Sequence, residues 1–314
     1  MATEWSEGPL PNLFIVGAPK CGTTSLYEYL RRHPQIFFPS DENDYWRAKE
    51  PNHLCPELEL LEKYSIKDSQ EYQALYREHA STPWRGDASP YYLFSESAPQ
   101  RIRQLCPEAR ILIMLRPPVA MMRSYHRDLL RIGLENIPDF YEALNAGTTA
   151  EGNLCIPPSP RTARYLDYFS LGQFAPQVDR YLDVFGKHAV KVVLLEDMAA
   201  SPEQTFREIL SFLGVDTSFQ PEFRIHNETP RKKSPLERCI SSVYALPGIK
   251  QVLQWVFPYS ARRWVLSAIR RTQHDAATPD PRDDQLRGLC ASDVAHLSRL
   301  IGRDLSHWQV SSRS

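Results

Sequence analysis

Residues 17–25 read Gly17-Ala18-Pro19-Lys20-Cys21-Gly22-Thr23-Thr24-Ser25, a run that holds two glycines, one lysine and three consecutive hydroxyl side chains. Gly22 allows a bound group to approach the backbone closely, Thr23, Thr24 and Ser25 offer O–H donors, and Lys20 supplies a cation. Placed between a strand and a helix, such a run binds a phosphate-type anion, because the unpaired N–H groups of the first helical turn and the positive end of the helix dipole both face it. The interval from Gly17 to Gly22 matches the pattern GxxxxGK[ST], yet Thr23 stands where that pattern has lysine, and Lys20 lies inside the loop. This displacement argues against an ordinary ATPase or kinase, which would also need an acidic magnesium ligand at a strand end. No convincing acid of that kind is found, so no metal is expected.

The flanking elements fit this reading. Residues 12–16 (NLFIV) form a short apolar run, and residues 25–33 (SLYEYLRRH) carry Leu26, Tyr29 and Leu30 at helical spacing. Residues 110–115 (RILIML) predict a second apolar strand, stopped by Arg116-Pro117-Pro118 and followed by a helical stretch. Residues 191–195 (KVVLL) predict a third, followed by a helix over 202–213 that ends at Gly214. Apolar strands alternating with amphipathic helices predict an α/β fold: a P-loop-like parallel sheet flanked by helices, with ligands at the carboxyl ends of the strands. Loop and helical insertions are expected at 42–84 and 136–160. A helical, aromatic and basic stretch at 236–271 interleaves Trp255, Phe257, Tyr259 and Trp264 with Arg262, Arg263, Arg270 and Arg271, and either covers the core or presents an acceptor or membrane-surface platform. A last helix over 285–305 carries Leu286, Leu289, Val294, Leu297 and Leu300. The organisation is one domain over 12–308, with flexible termini at 1–11 and 309–314.

The 314 residues are 42% hydrophobic and 24% charged, which excludes a disordered or coiled-coil chain. Thirty-seven basic residues against 38 acidic ones leave no bulk charge for general nucleic-acid binding, so any anion site is local. A net basic charge for a long polyanionic acceptor is also lacking. Six cysteines form no CxxC pair and no zinc-like cluster with histidine, and free thiols are expected. The sequence contains no signal-like or transmembrane run, which predicts a cytoplasmic protein, the alternative being a lumenal domain separated from its anchor.

The loop Pro19-Lys20-Cys21-Gly22-Thr23-Thr24-Ser25 resembles the PKxGTT[ST] loop of the sulfotransferases that use 3′-phosphoadenosine 5′-phosphosulfate (PAPS), in particular their carbohydrate, heparan-type and bacterial branch. The second element of that family, a strand ending in arginine with a serine eight residues later, is matched by LRPPVAMMRS, with Arg116 and Ser124. Lys49-Glu50-Pro51, GDASPYYL at 86–93, the SLGQFAPQVDRYLDVFG segment and the closing LIGRDLSHW extend the likeness over about residues 12–308. The resemblance implies sulfuryl transfer from PAPS to a hydroxyl of a carbohydrate or small natural product, leaving adenosine 3′,5′-bisphosphate. It places the 5′-phosphosulfate on residues 19–25 and the 3′-phosphate on Arg116 and Ser124, whose fork and hydroxyl suit a phosphate. Arg231 and Lys232, with Lys233, fall where the family's late loop closes over the nucleotide.

For the base that accepts the acceptor's proton, the resemblance points to Glu50. The interval SDENDYWRA before it shifts the alignment toward Glu42 or Asp44 if it is an insertion. His53 is a competing base because an imidazole titrates near neutrality, and Asp87 is a third candidate. Two departures stand out: Ala88 occupies a place where heparan-type relatives carry lysine, and Phe174 stands where relatives have tyrosine. Tyr45, Trp46, Trp84, Tyr91 and Tyr92 either stack on sugar rings or pack in the core. The competing functional classes are a small-molecule kinase and a non-catalytic nucleotide-binding module. Thr23 counts against the first and the intact set Lys20, Arg116 and Ser124 against the second.

Overall fold

The computed structural model describes residues 8–41, 44–58, 65–132, 134–148, 167–223 and 280–310. Strands β1 (Leu13–Gly17), β2 (Ile36–Phe37), β3 (Trp84–Asp87), β4 (Arg110–Leu115) and β5 (Val190–Leu194) form one sheet in the order β2-β3-β1-β4-β5. Every pairing is parallel. The expected strands at 110–115 and 191–195 are present, the second displaced by one residue, and all of β1 is buried. Covered on both faces, these strands show continuous apolar runs instead of alternation. Strand β2 was not foreseen: Ile36 and Phe37 are too short a run to signal a strand, and they adopt one only by pairing with Trp84 and Arg85.

In chain order the helices relevant to the site are α1 (Thr23–Leu30), α2 (Tyr45–Lys49), α3 (Ser69–Ala74), α4 (Ala98–Leu105), α5 (Pro118–Ile132), α6 (Phe140–Thr148), α7 (Tyr168–Gly172), α8 (Phe174–Phe185), α9 (Leu195–Ala200), α10 (Pro202–Leu213) and α11 (Arg282–Ile301). Helix α10 matches the expected bounds because its ends are coded locally. Pro202 starts it, and Gly214, at φ 67, takes the left-handed conformation that ends it. Helix α11 spans 282–301 rather than 285–305, ending at Gly302 with φ 64, and its Leu289 is 66% exposed rather than in the core. The expected platform at 236–271 lies outside the described residues.

Leu26 and Leu30 of α1, Met121 and Met122 of α5, and Ile209 and Leu210 of α10 are fully buried in the same apolar core as β1 and β4. Truncating any of these leucines to alanine is worth about 2–5 kcal/mol. Helix α11 packs Leu286, Cys290, Val294 and Leu297 into the same core and adds polar contacts. Asp293 accepts from the N–H groups of Phe174 (2.9 Å) and Ala175 (3.1 Å) at the start of α8, so a residue 118 positions away caps that helix. Phe174 itself is fully buried, and its ring packs in the core. Because β1 lies between β3 and β4, the loop after β1 sits where the strand order reverses, the place where parallel sheets bind ligands.

Candidate active site

The loop after β1 and the end of β4 are brought together by register. Gly17 pairs with Ile113, so three residues further on Lys20 and Arg116 arrive side by side. The Arg116 guanidinium donates to the Lys20 carbonyl at 3.1 Å, and burial lowers the pKa of the guanidinium. Lys20 itself has φ 63 and Gly22 has φ 90. The left-handed turn at Lys20 carries a steric cost for a residue with a Cβ, and loops keep such turns where a side chain must be aimed. A Cβ on Gly22 would lie 2.6 Å from Leu195 Cδ1 and 3.3 Å from Met114 Cε, so the loop rests on α9 and β4 with no room for a side chain there. Helix α1 begins at Thr23, directly after this turn.

Cys21, inside the loop, is fully buried, and burial pushes its thiol up to about 12. It is a packing residue in its neutral form, not a nucleophile. The Ser25 hydroxyl bonds the Tyr29 phenol, whose pKa is raised by burial.

Helix α5 faces the loop with its half-buried residues. Ser124 is on this face, and one turn later Asp128 lies 3.3 Å from the Lys20 ammonium. Asp128 also accepts from Arg131 Nε at 2.9 Å. Although burial opposes it, the charges of Lys20 and Arg131 hold the Asp128 carboxyl below its ordinary value. The Tyr91 and Tyr125 hydroxyls share a hydrogen bond at 3.0 Å, and burial raises the pKa of Tyr91, with the charges of Glu50 and Asp128 adding to the effect. The Tyr91 phenol thus lies within the fields of the two carboxylates.

Glu50 follows α2 and pairs with the ammonium of Lys49. Lys49 has no exposed surface and lies 5.6 Å and 5.4 Å from the ring centres of Tyr27 and Trp46. A lysine so placed has little freedom, so it fixes the carboxylate it holds. The following loop is anchored to Asp87. This carboxylate is 1% exposed and accepts from the Tyr72 hydroxyl (2.8 Å), the Tyr92 hydroxyl (2.9 Å), and the Ser89 N–H (3.0 Å) and hydroxyl (2.6 Å). Those groups in turn take up the loop: Asn52 N–H donates to Ser89 Oγ at 2.9 Å, Leu54 N–H to the Tyr92 hydroxyl at 3.2 Å, and Ala88 N–H to the Lys49 carbonyl at 3.3 Å. Burial nevertheless outweighs the four donors and pushes Asp87 up to about 6.

His53 turns the other way. Its Nδ1 donates to the Ile66 carbonyl at 2.9 Å, its Nε2 is 3.4 Å from the Ser69 hydroxyl, and its ring stacks on Tyr72 at 4.6 Å. It joins the loop to α3. Pro19, Lys20, Cys21 and Gly22 therefore form the loop and Thr23, Thr24 and Ser25 the first turn of α1, with Arg116 beside the loop and the Ser124 face of α5 opposite, and Glu50 reaches the same region through Tyr91. Arg231 and Lys232 lie outside the described residues, as does Glu42. Of the aromatic candidates, Tyr92 is core, Trp84 donates to the Leu213 carbonyl at 2.9 Å, and Trp46 is 50% exposed beside Lys49. Sequence reasoning missed Asp128, whose only signal was its spacing of four residues from Ser124 on one helix face.

A glycine-bounded loop at the strand-order switch of a parallel sheet, with arginine from the next strand end, defines a P-loop-like α/β fold class. Within that class the chain belongs to the sulfotransferase family, whose sulfotransferase domain matches residues 10–234. A solved sulfotransferase from Alicyclobacillus acidocaldarius is 30% identical, covers 96% of this chain and 100% of its own, and superposes with a TM-score of 0.66. Carbohydrate sulfotransferase 15 of Mus musculus is 23% identical over 81% of this chain and 52% of its own length. The human bifunctional heparan sulfate N-deacetylase/N-sulfotransferase 3 is 24% identical over 66% of this chain and 22% of its own. The chain thus spans about half or less of the length of these curated relatives. Among the described residues no helix is long and apolar enough to cross a membrane.

Proposed function

We propose that the protein transfers the sulfuryl group of PAPS to a hydroxyl of a carbohydrate or small-molecule acceptor. The observation that carries this reading is the side-by-side arrival of Lys20 and Arg116 at the ends of adjacent strands, with the Ser124 face of α5 opposite. The donor set fits a nucleotide with two separated anionic groups: a cation with backbone N–H groups at a helix start for one, and a guanidinium with a hydroxyl for the other. When bound, PAPS supplies the sulfuryl group and a phosphate leaving group.

Lys20 places positive charge where the bond to the leaving phosphate breaks, and the N–H groups of residues 22–25 orient the same end. Arg116 and Ser124 hold the 3′-phosphate, and the family resemblance assigns Arg231 and Lys232 to nucleotide binding. Glu50, fixed by Lys49, removes the acceptor's proton. It is favoured over His53, whose ring nitrogens face Ile66 and Ser69, and over Asp87, which is buried under four donors. Trp46, half-exposed beside Glu50, suits the face of a sugar ring. The carbohydrate class of acceptor is supported by the named relatives. One catalytic domain over residues 12–308 is part of the proposal, as is a cytoplasmic location, which is supported by the unbridged Cys21, Cys55, Cys106 and Cys290.

The test is a transfer assay with PAPS and a panel of neutral and acidic sugars and phenols, followed by release of adenosine 3′,5′-bisphosphate. Acceptor-dependent release that disappears in Lys20→Ala supports the reading; release with ATP and magnesium but none with PAPS overturns it.

A further inference from the structure

The half-buried residues of α5, together with Lys20 of the loop, include more cations than the described carboxylates pair with. Arg123 is taken by Asp283 of α11 and lies over the rings of Phe140 and Tyr141. Arg131 and Lys20 share Asp128. Arg127, between Arg123 and Arg131 on the same helix, has no carboxylate among the described residues. Its Nε is buried and without a hydrogen-bond partner. The groups that act on it are themselves positive: burial lowers its pKa, and the charges of Arg116 and Arg123 lower it further. A buried N–H left unbonded is unfavourable, and the charges of two nearby guanidinium groups add to the cost.

Arg127 stands one helical turn beyond Ser124 and within the field of Arg116, the two residues read above as the 3′-phosphate site. A phosphate presents three terminal oxygens and up to two negative charges. Arg116 has already committed one N–H to the Lys20 carbonyl, and Ser124 offers a single hydroxyl. Arg116 supplies one positive charge and Ser124 none, so a dianionic phosphate is left with one charge unmatched, and Arg127 is the adjacent cation whose Nε has no acceptor among the described residues. We propose that Arg127 is a third donor to the 3′-phosphate of the nucleotide, so that its unbonded Nε finds an acceptor in the complex. This rests on the reading of Arg116 and Ser124 given above.

The experiment compares adenosine 3′,5′-bisphosphate with AMP, which lacks the 3′-phosphate, by titration calorimetry on wild type, Arg127→Met and Arg127→Lys. Wild type prefers the bisphosphate. Arg127→Met weakens bisphosphate binding by ~10- to 100-fold, the range for a hydrogen bond to a charged group, and leaves AMP affinity unchanged, while Arg127→Lys recovers part of the loss. Thermal melting of the nucleotide-free proteins supplies a second readout. Because Arg127 has no partner among the described residues, Arg127→Met is expected to melt no lower than wild type, whereas a merely structural arginine would lower the melting temperature on removal. If wild type binds the two nucleotides alike, the 3′-phosphate site itself is wrong and this inference falls with it. If wild type discriminates and Arg127→Met discriminates equally, or loses both ligands equally, only the role of Arg127 is overturned.

Discussion

Replacing Asp87 with asparagine tests how the candidate base is held in place. The native carboxylate is buried, receives four hydrogen bonds and has its pKa raised from 3.8 to about 6. That difference corresponds to ~3 kcal/mol against the ionised form, an order-of-magnitude figure. Between the two values the folded protein keeps a proton that the unfolded chain has released, so this contribution to stability is complete below about pH 4 and is lost as pH rises through about 6. Asparagine has no such titration. Its oxygen can still accept from Ser89, but its amide must face the Tyr72 and Tyr92 hydroxyls, which have to turn and accept. Urea denaturation of both proteins from about pH 4 to pH 8 should therefore show wild type losing ~3 kcal/mol relative to Asp87→Asn over the lower half of the range, with a flat difference above it. A difference that does not change with pH would mean the four donors balance burial, and one that moves toward wild type as pH rises that they outweigh it; either would refute the reasoning. The same variant should lower kcat, because Ser89 and Tyr92 hold the loop that follows Glu50.

Lys20→Ala is expected to lower kcat by ~10²- to 10³-fold through loss of charge at the leaving phosphate, measured by steady-state kinetics with PAPS. The Asp128 left behind keeps Arg131 as a partner, so the melting temperature should change little. Glu50→Gln should reduce kcat by ~10²- to 10⁴-fold with nucleotide affinity retained. His53→Ala should mainly lower stability in denaturation experiments, by detaching the loop from Ile66 and Ser69; an essential His53 with a dispensable Glu50 would reverse the assignment of the base. Gly22→Val should lose nucleotide binding in calorimetry and cost ~1–3 kcal/mol of stability for the strained backbone, since its Cβ falls 2.6 Å from Leu195 Cδ1 at φ 90.

The parts of the molecule legible in the sequence are those coded by neighbouring residues. Strand β1, its loop and α1 follow from one apolar run and one glycine-bounded turn, and the Arg116 position follows from a strand stopped by two prolines. What the sequence could not convey depends on partners far along the chain. Lys20 meets Asp128 and Trp308 donates to Glu196 at 2.7 Å, each across about a hundred residues, and neither pairing has a local signature. In the sequence Asp87 stands only as a third candidate base. Its burial by Tyr72 of α3 and by Tyr92 became visible only once those elements were folded over it. The burial of Lys49 carried no signal either, since a lysine is seldom fully buried unless a partner such as Glu50 holds its charge.

The measurement that bears most directly on the proposed function is titration calorimetry of the unmodified protein with adenosine 3′,5′-bisphosphate and, separately, with ATP and magnesium. Tight binding of the bisphosphate, weakened sharply in Arg116→Ala, with little or no heat from ATP, is the predicted result. Preference for ATP with magnesium, or a bisphosphate affinity that Arg116→Ala leaves unchanged, would contradict the assignment of this site to PAPS.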